Sequence, residues 1–290
     1  MAFRRSVYRS GFAAVVAHIL WASLRPLAYR YQLIVMTVEV TAIHHINCGV
    51  LHASPYPRAS CHCLLLEAPE ALALIDTGIG LADVASPLER IGQPLIDIAG
   101  FQFNEADTAA RQIERMGFRT ADVADVVLTH GDPDHTGGLA DFPQAEVHIA
   151  EEEHARVLGG NARYLPAHFA HGPRWKTYPP STRPWFGLEA RPVAFGSAFE
   201  VLLIPLFGHT LGHCGVAVQR GQRWLLHVGD AYYLRAELAS DDHPVSALAA
   251  QRADDDALRR ESLEQLRRLA RDYQIDVEMF GYHDFTEFPQ

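Results

Sequence analysis

From about residue 38 onward, apolar and polar positions alternate in short runs, and between those runs apolar positions recur every three or four residues. A period of two marks strands and a period near 3.6 marks helices. This pattern predicts strands at 38–46, 61–67, 71–76, 125–129, 146–149, 199–205, 214–219, 224–228 and 276–280, and helices at about 106–116, 151–158 and 257–273. Strands followed by helices in two similar halves predict mixed α/β layers. Within 61–67, alternation puts Cys61 and Cys63 on one face, a placement that reads as packing. With Cys48 and Cys214 they form neither a zinc-finger spacing nor a disulfide framework.

The chemistry lies where this pattern breaks. Immediately after the apolar run 123–128 comes Thr129-His130-Gly131-Asp132-Pro133-Asp134-His135-Thr136-Gly137-Gly138, with four possible metal ligands in six residues. Pro133 is expected to forbid an ordinary helix through the cluster, and Gly137-Gly138 to turn the backbone sharply away. His130 and Asp132, two apart, can face one cation, while Asp134 and His135 point toward a second. Imidazole with carboxylate suits zinc, manganese or iron. A solvated turn would use many of the same residues. Three further strand-like runs, however, also end in His or Asp: Gly208-His209-Thr210-Leu211-Gly212-His213, Gly229-Asp230, and Gly281-Tyr282-His283-Asp284.

These residues resemble the metallo-β-lactamase-fold hydrolases, whose pattern is HxHxDH, a distal His, a bridging Asp and a last His. The resemblance spans about 40–287 and includes Asp76-Thr77-Gly78, similar to the family's early turn whose Asp braces the metal loop. It implies an α/β fold, a four-layer αββα sandwich with a dinuclear metal site at the sheet edge. His130, Asp132 and His209 would hold the first ion, Asp134, His135 and His283 the second, and Asp230 would bridge them. The spacing from His209 to Asp230, and Tyr233 three residues later, look most like the branch containing N-acyl-homoserine lactonases.

Asp132 departs from the pattern, which usually has a second His there. Three carboxylates, Asp132, Asp134 and Asp230, oppose four positive charges from two divalent ions, and a bridging hydroxide brings the cluster to about zero. Such a cluster is expected to acidify water less than a histidine-only first site, and its extra oxygen ligand favours harder ions. Zn is the expected metal, with Mn or Fe as alternatives. A flavo-diiron oxidoreductase carries a carboxylate at the same place, but its flavin domain has no room after His283.

The expected function is metal-dependent hydrolysis of a carbonyl ester, lactone favoured, through a metal-bridging hydroxide. Tyr233 is expected to donate to the oxyanion, and Asp134 to shuttle a proton to the leaving oxygen. The alternatives are a β-lactam or thioester hydrolase of the same fold, or a noncatalytic protein that binds metal or ligand. The formal charge of −10 provides no footprint for nucleic acid, and the expected partner is a small-molecule ester or lactone, with a homo-oligomer compatible. Residues 1–35 carry Arg4, Arg5, Arg9, Arg25 and Arg30 without an acid around the apolar stretch 12–24. They read as a targeting segment or as an over-long translation start before Met36, and 36–290 as the hydrolase domain. No stable membrane span is expected. The expected location is the cytoplasm, with export if 1–35 is a targeting segment. Two irregular stretches, 51–60 and an aromatic insertion at about 159–195, are expected to shape the pocket, the second as lid or wall or, equally, as an oligomer contact or packing arm. His44, His45, His168 and His171 read as ordinary polar contacts.

Overall fold

Alternation in strand Ala59–Glu67 shows how the layers arise. Cys61, Cys63 and Leu65 join one apolar cluster, while Leu64 and Leu66 join another on the opposite face. The structure, a computed structural model, describes residues 42–69, 71–194 and 200–289. The segment 1–35, with its alternative start at Met36, lies outside the described residues, as does the beginning of the strand expected at 38–46.

Strands β1 (Ala42–Leu51), β2 (Ala59–Glu67), β3 (Leu72–Ile75), β4 (Val123–Val127), β5 (Glu146–Ala150) and β6 (Arg174–Tyr178) form a six-stranded sheet in sequence order. The first three pair antiparallel, and β3 to β6 are parallel. A two-stranded ribbon of β7 (Pro184–Trp185) and β8 (Leu188–Glu189) leads into a second sheet. That sheet contains β9 (Arg191–Val193), β10 (Val201–Pro205), β11 (Cys214–Arg220), β12 (Arg223–His227) and β13 (Val277–Phe280), in the order β13-β12-β11-β10-β9.

Three apolar clusters separate four layers. Ile75 and Val127 from the first sheet meet Leu203, Val216, Val218 and Leu225 from the second, closing sheet on sheet. The outer face of the first sheet, with Leu74 and Val126, packs Ala110 and Ile113 of helix Ala109–Arg115. The outer face of the second, with Leu202, Ile204 and Leu226, packs Leu263, Leu266 and Leu269 of helix Asp256–Asp272. Leu residues three apart share that helix face because the helical period is 3.6. Asp255 starts this helix by accepting from the backbone N–H groups of Ala257 and Leu258. The result is the expected αββα sandwich.

Two expectations change. The stretch 159–195 is not only a lid, because it supplies β6 to one sheet and β9 to the other. Pro133 does not forbid helix in the motif: it opens the four-residue helix Pro133–Thr136, where its missing N–H costs nothing. Gly137 has an ordinary φ of −56°. Its role is close approach, since a Cβ there would lie 2.1 Å from Asp83 Oδ2, and one on Gly138 would lie 2.8 Å from the Thr77 carbonyl oxygen.

This topology gathers the polar strand ends. β10 and β12 are both antiparallel to β11, and β13 is parallel to β12, so all three end on one side. The segment after β13 crosses to the first sheet, where the N–H groups of Ser60 and His62 donate to the carbonyls of His283 and Tyr282. The loop after β4 joins the same edge through the N–H of Cys214, which donates to the Thr129 carbonyl.

Candidate metal centre

Each candidate side chain is aimed by a backbone or side-chain partner. Asp76, with φ 55°, accepts from Thr129 N–H at 2.8 Å, from the Thr129 hydroxyl at 2.8 Å, and from His135 Nδ1 at 2.8 Å. His283 Nδ1 donates to the Ser60 carbonyl at 2.8 Å. Both rings therefore turn Nε2 toward the centre. His213 donates from Nδ1 to the Leu206 carbonyl, and its Nε2 accepts from Asp230 N–H at 2.9 Å, which orients Asp230. Buried Glu153, from helix Glu151–Leu158, accepts from Gly131 N–H, the Thr210 hydroxyl and the Tyr164 hydroxyl. It thereby ties the β4 loop to the β10 loop.

The donor atoms form the two expected groupings and a third, His130, His135 and Asp230, that spans them. His130, Asp132 and His209 each offer a donor atom within 4.8 Å of the others, as do Asp134, His135 and His283. Asp230 faces both: its carboxylate lies 3.3 Å from His135 Nε2, 3.2 Å from His283 Nε2 and 3.4 Å from His209 Nε2. A tetrahedral ion with bonds near 2.0–2.1 Å has ligand-to-ligand edges of about 3.4 Å, so these separations are of coordination size. His130 Nε2, His135 Nε2 and Asp230 Oδ1 are buried without a hydrogen-bond partner, and burying such groups is costly unless something else satisfies them. The residues present fit divalent cations.

The imidazoles and carboxylates of the centre stabilise one another as charged groups. Burial opposes charge on His135, but Asp230, Asp76 and Asp134 outweigh it and hold the imidazole well above its usual range. Burial likewise opposes ionisation of Asp230, yet His283, His135 and His209 hold it well below the usual carboxylate range. A fourth His/carboxylate grouping, Asp125, Glu146 and His148, is already paired internally, with His148 bonded to Asp125 and Tyr178, and Glu146 bonded to Lys176.

The Metallo-beta-lactamase superfamily model matches residues 56–275. The chain belongs to this superfamily. Two curated relatives, probable metallo-hydrolases of Mycobacterium tuberculosis and Mycobacterium bovis, are each 43% identical over 201 residues, which is 68% of this chain and 64% of theirs. An N-acyl homoserine lactone hydrolase solved with N-hexanoyl-L-homoserine at its catalytic metal centre aligns with TM-score 0.66 and 20% identity, covering 87% of this chain and 96% of that one. AidC, a dizinc quorum-quenching lactonase, aligns with TM-score 0.54 and 20% identity, covering 80% and 75%. At these identities the solved structures share the fold.

Against the superfamily pattern, the first set holds an unforeseen residue. Arg163 Nε and Nη2 donate to the two oxygens of Asp132 at 2.5 and 2.6 Å, and Nη2 lies 2.7 Å from His209 Nε2. The carboxylate expected to lower the cluster's charge is thus neutralised in place. Burial opposes ionisation of Asp132, but Arg163 and then His130 hold it well below its usual range. His209 is pushed down to about 4, chiefly by burial. A carboxylate replacing a neutral ligand calls for a cation nearby, but the sequence has many arginines and no periodicity selects Arg163.

The pocket is a cavity of about 600 Å³ that reaches Asp132, Asp134, Asp230 and His283 at its floor. Its wall includes Leu51, Tyr56, Ile91, Leu95, Ile98 and Phe101. The stretch 51–60 contributes as expected, whereas from 159–195 only Ala162, Arg163 and Leu165 line it. Tyr233 also lines it, with its ring 5.9 Å from that of His209 and 5.1 Å from that of His283. Tyr232 faces the opposite way, fully buried and bonded to Glu287. His168 bonds to the Thr136 hydroxyl and lies 3.2 Å from Asp83, away from the two sets.

Proposed function

We propose that the chain catalyses metal-dependent hydrolysis of a carbonyl ester, with a lactone favoured. His130, Asp132 and His209 would hold one ion, Asp134, His135 and His283 a second, and Asp230 both. The observation that carries this reading is the convergence of imidazole and carboxylate donors beside an apolar cavity that Asp132, Asp134, Asp230 and His283 line. When bound, two divalent ions would supply an activated water and polarise a carbonyl. The likeness to lactone hydrolases supports the choice of substrate class. The apolar wall of Leu51, Ile91, Leu95 and Ile98 suits an acyl chain. Among the described residues no helix is long and apolar enough to cross a membrane.

The chain's own groups then have defined tasks. Asp76, His213 and Glu153 hold the ligands in orientation. Tyr233 donates its hydroxyl to the developing oxyanion. Burial, then Asp230 and Asp132, raise the Tyr233 phenol well above its ordinary value, so it stays a protonated donor at neutral pH. Asp134 carries a proton to the leaving oxygen.

The test is metal analysis of protein purified without added metal, paired with turnover of short-chain and long-chain homoserine lactones, a β-lactam and a glutathione thioester. Lactone turnover abolished by chelation is expected. Metal with turnover of only the β-lactam or thioester would change the substrate, and metal with no turnover of the panel would favour a noncatalytic role. Tyr233→Phe is expected to lower kcat about 100-fold with metal content unchanged, and an unchanged kcat would remove Tyr233 from the mechanism.

A further inference from the structure

The two ligand sets are not equivalent, and Arg163 is the reason. Its guanidinium has five N–H donors and no acceptor, and all five are engaged. Nε bonds to Asp132 Oδ1, Nη2 to Asp132 Oδ2 and His209 Nε2, and Nη1 to the Arg252 carbonyl at 2.7 Å and Asp254 at 3.3 Å. The backbone is also held: Arg163 N–H donates to Asn161 Oδ1, and the next residue, Tyr164, is anchored on Glu153. The Arg163 side chain is only 15% exposed. No donor remains for an incoming substrate.

Arg163 Nη2 lies 2.7 Å from His209 Nε2, and in the tautomer that accepts from it the arginine takes the imidazole lone pair an ion would need. The forked bond to Asp132 likewise engages both carboxylate oxygens. Of the first set's inward-facing nitrogens, His130 Nε2 is not reached by Arg163 and has no hydrogen-bond partner. In the second set no arginine or lysine intrudes among the described residues: His135 Nε2 lies 3.3 Å from the shared Asp230, and His283 Nε2 faces only Asp230 and Asp134.

We infer that Arg163 competes with an ion for Asp132 and His209, so that the second set loads metal tightly and the first loads only as Arg163 withdraws. The inference rests on the ligand assignment proposed above. In charge, the Asp132–Arg163 pair equals the neutral histidine of the superfamily pattern. In geometry it differs, because a ligand that is always available has become one that must first exchange an arginine for a metal.

The experiment is titration of chelator-stripped protein with Zn(II) against a competing chromophoric chelator, with elemental analysis after dialysis at fixed free zinc. The wild-type chain is expected to bind one equivalent tightly and a second on the order of 10- to 100-fold more weakly. His283→Ala should remove the tight step and His209→Ala the weak one. Arg163→Gln should bring the second equivalent close to the first. Two wild-type equivalents of equal affinity, or an Arg163→Gln isotherm identical to wild type, would overturn the inference. If that variant does not fold, the wild-type isotherm with the two histidine variants still decides. Equal affinities with lactone turnover would defeat this inference alone, whereas a chain that binds no zinc would defeat the proposed function with it.

Discussion

Asp76 adopts a backbone conformation that few non-glycine residues take, and its carboxylate reaches Thr129 and His135 at once. Asp76→Asn would present an amide N–H₂ or a single oxygen where two acceptors are needed, and His135 would lose the partner that fixes its Nε2 toward the centre. Metal affinity is expected to fall 10- to 100-fold while the melting temperature with metal-saturating buffer changes little. Affinity equal to wild type in a competition titration would show that Asp76 only holds the loop. At this scale the sequence was generous: the strand-end His and Asp residues converge because their motifs are short and their backbones regular. Arg163 and Glu153 were illegible for the same reason in reverse. Each reaches the centre by a long side chain, Arg163 from a loop and Glu153 from a run of three glutamates that pattern alone cannot distinguish.

Between residue and molecule, the short turn Gly137–Asp141 packs the motif against the residues that follow the Asp76 turn, and Asp141 accepts from Leu81 N–H at 3.0 Å. Burial, with the nearby Asp83 carboxylate, pushes Asp141 up from 3.8 to about 6, against the opposing Leu81 N–H. The folded chain therefore binds this proton more tightly than the unfolded chain. Its contribution to stability is full below about pH 4 and is lost as pH rises through about 6. Asp141→Asn keeps an oxygen for Leu81 and is expected to gain about 1–3 kcal/mol at pH 7.5 but little at pH 4. Urea unfolding at both values checks this, and an equal change at both would refute it. Strand and helix positions were largely readable from periodicity, because half-buried strands alternate and the last helix repeats its leucines. The described part of the strand expected at 38–46 runs past its expected end, as Ala42–Leu51. Strands β6 and β9 were missed because their segment is rich in proline and aromatics and lacks a clean period of two. Short helices such as Gln93–Ala99 and Pro244–Arg252 were missed too.

At the scale of the whole molecule, the layer order was legible only through the family resemblance, since periodicity says which face is apolar and not which sheet it meets. The sandwich nevertheless explains why the site could not be read from any one segment. The β4 loop supplies four donors from one sheet, and the ends of β10, β12 and β13 supply His209, Asp230 and His283 from the other. An ion seated among them would therefore cross-link two halves of the chain whose contacts span long sequence separations. Its binding energy becomes folding energy for both sheets together. Amide exchange should then slow in β4 and in β12 and β13 by similar factors when zinc is added, and slowing confined to one sheet would contradict that coupling. The same arrangement makes the centre a proofreader of assembly: a chain whose sheets have docked out of register offers only half a set of ligands, so retention of metal reports that the two halves have found each other.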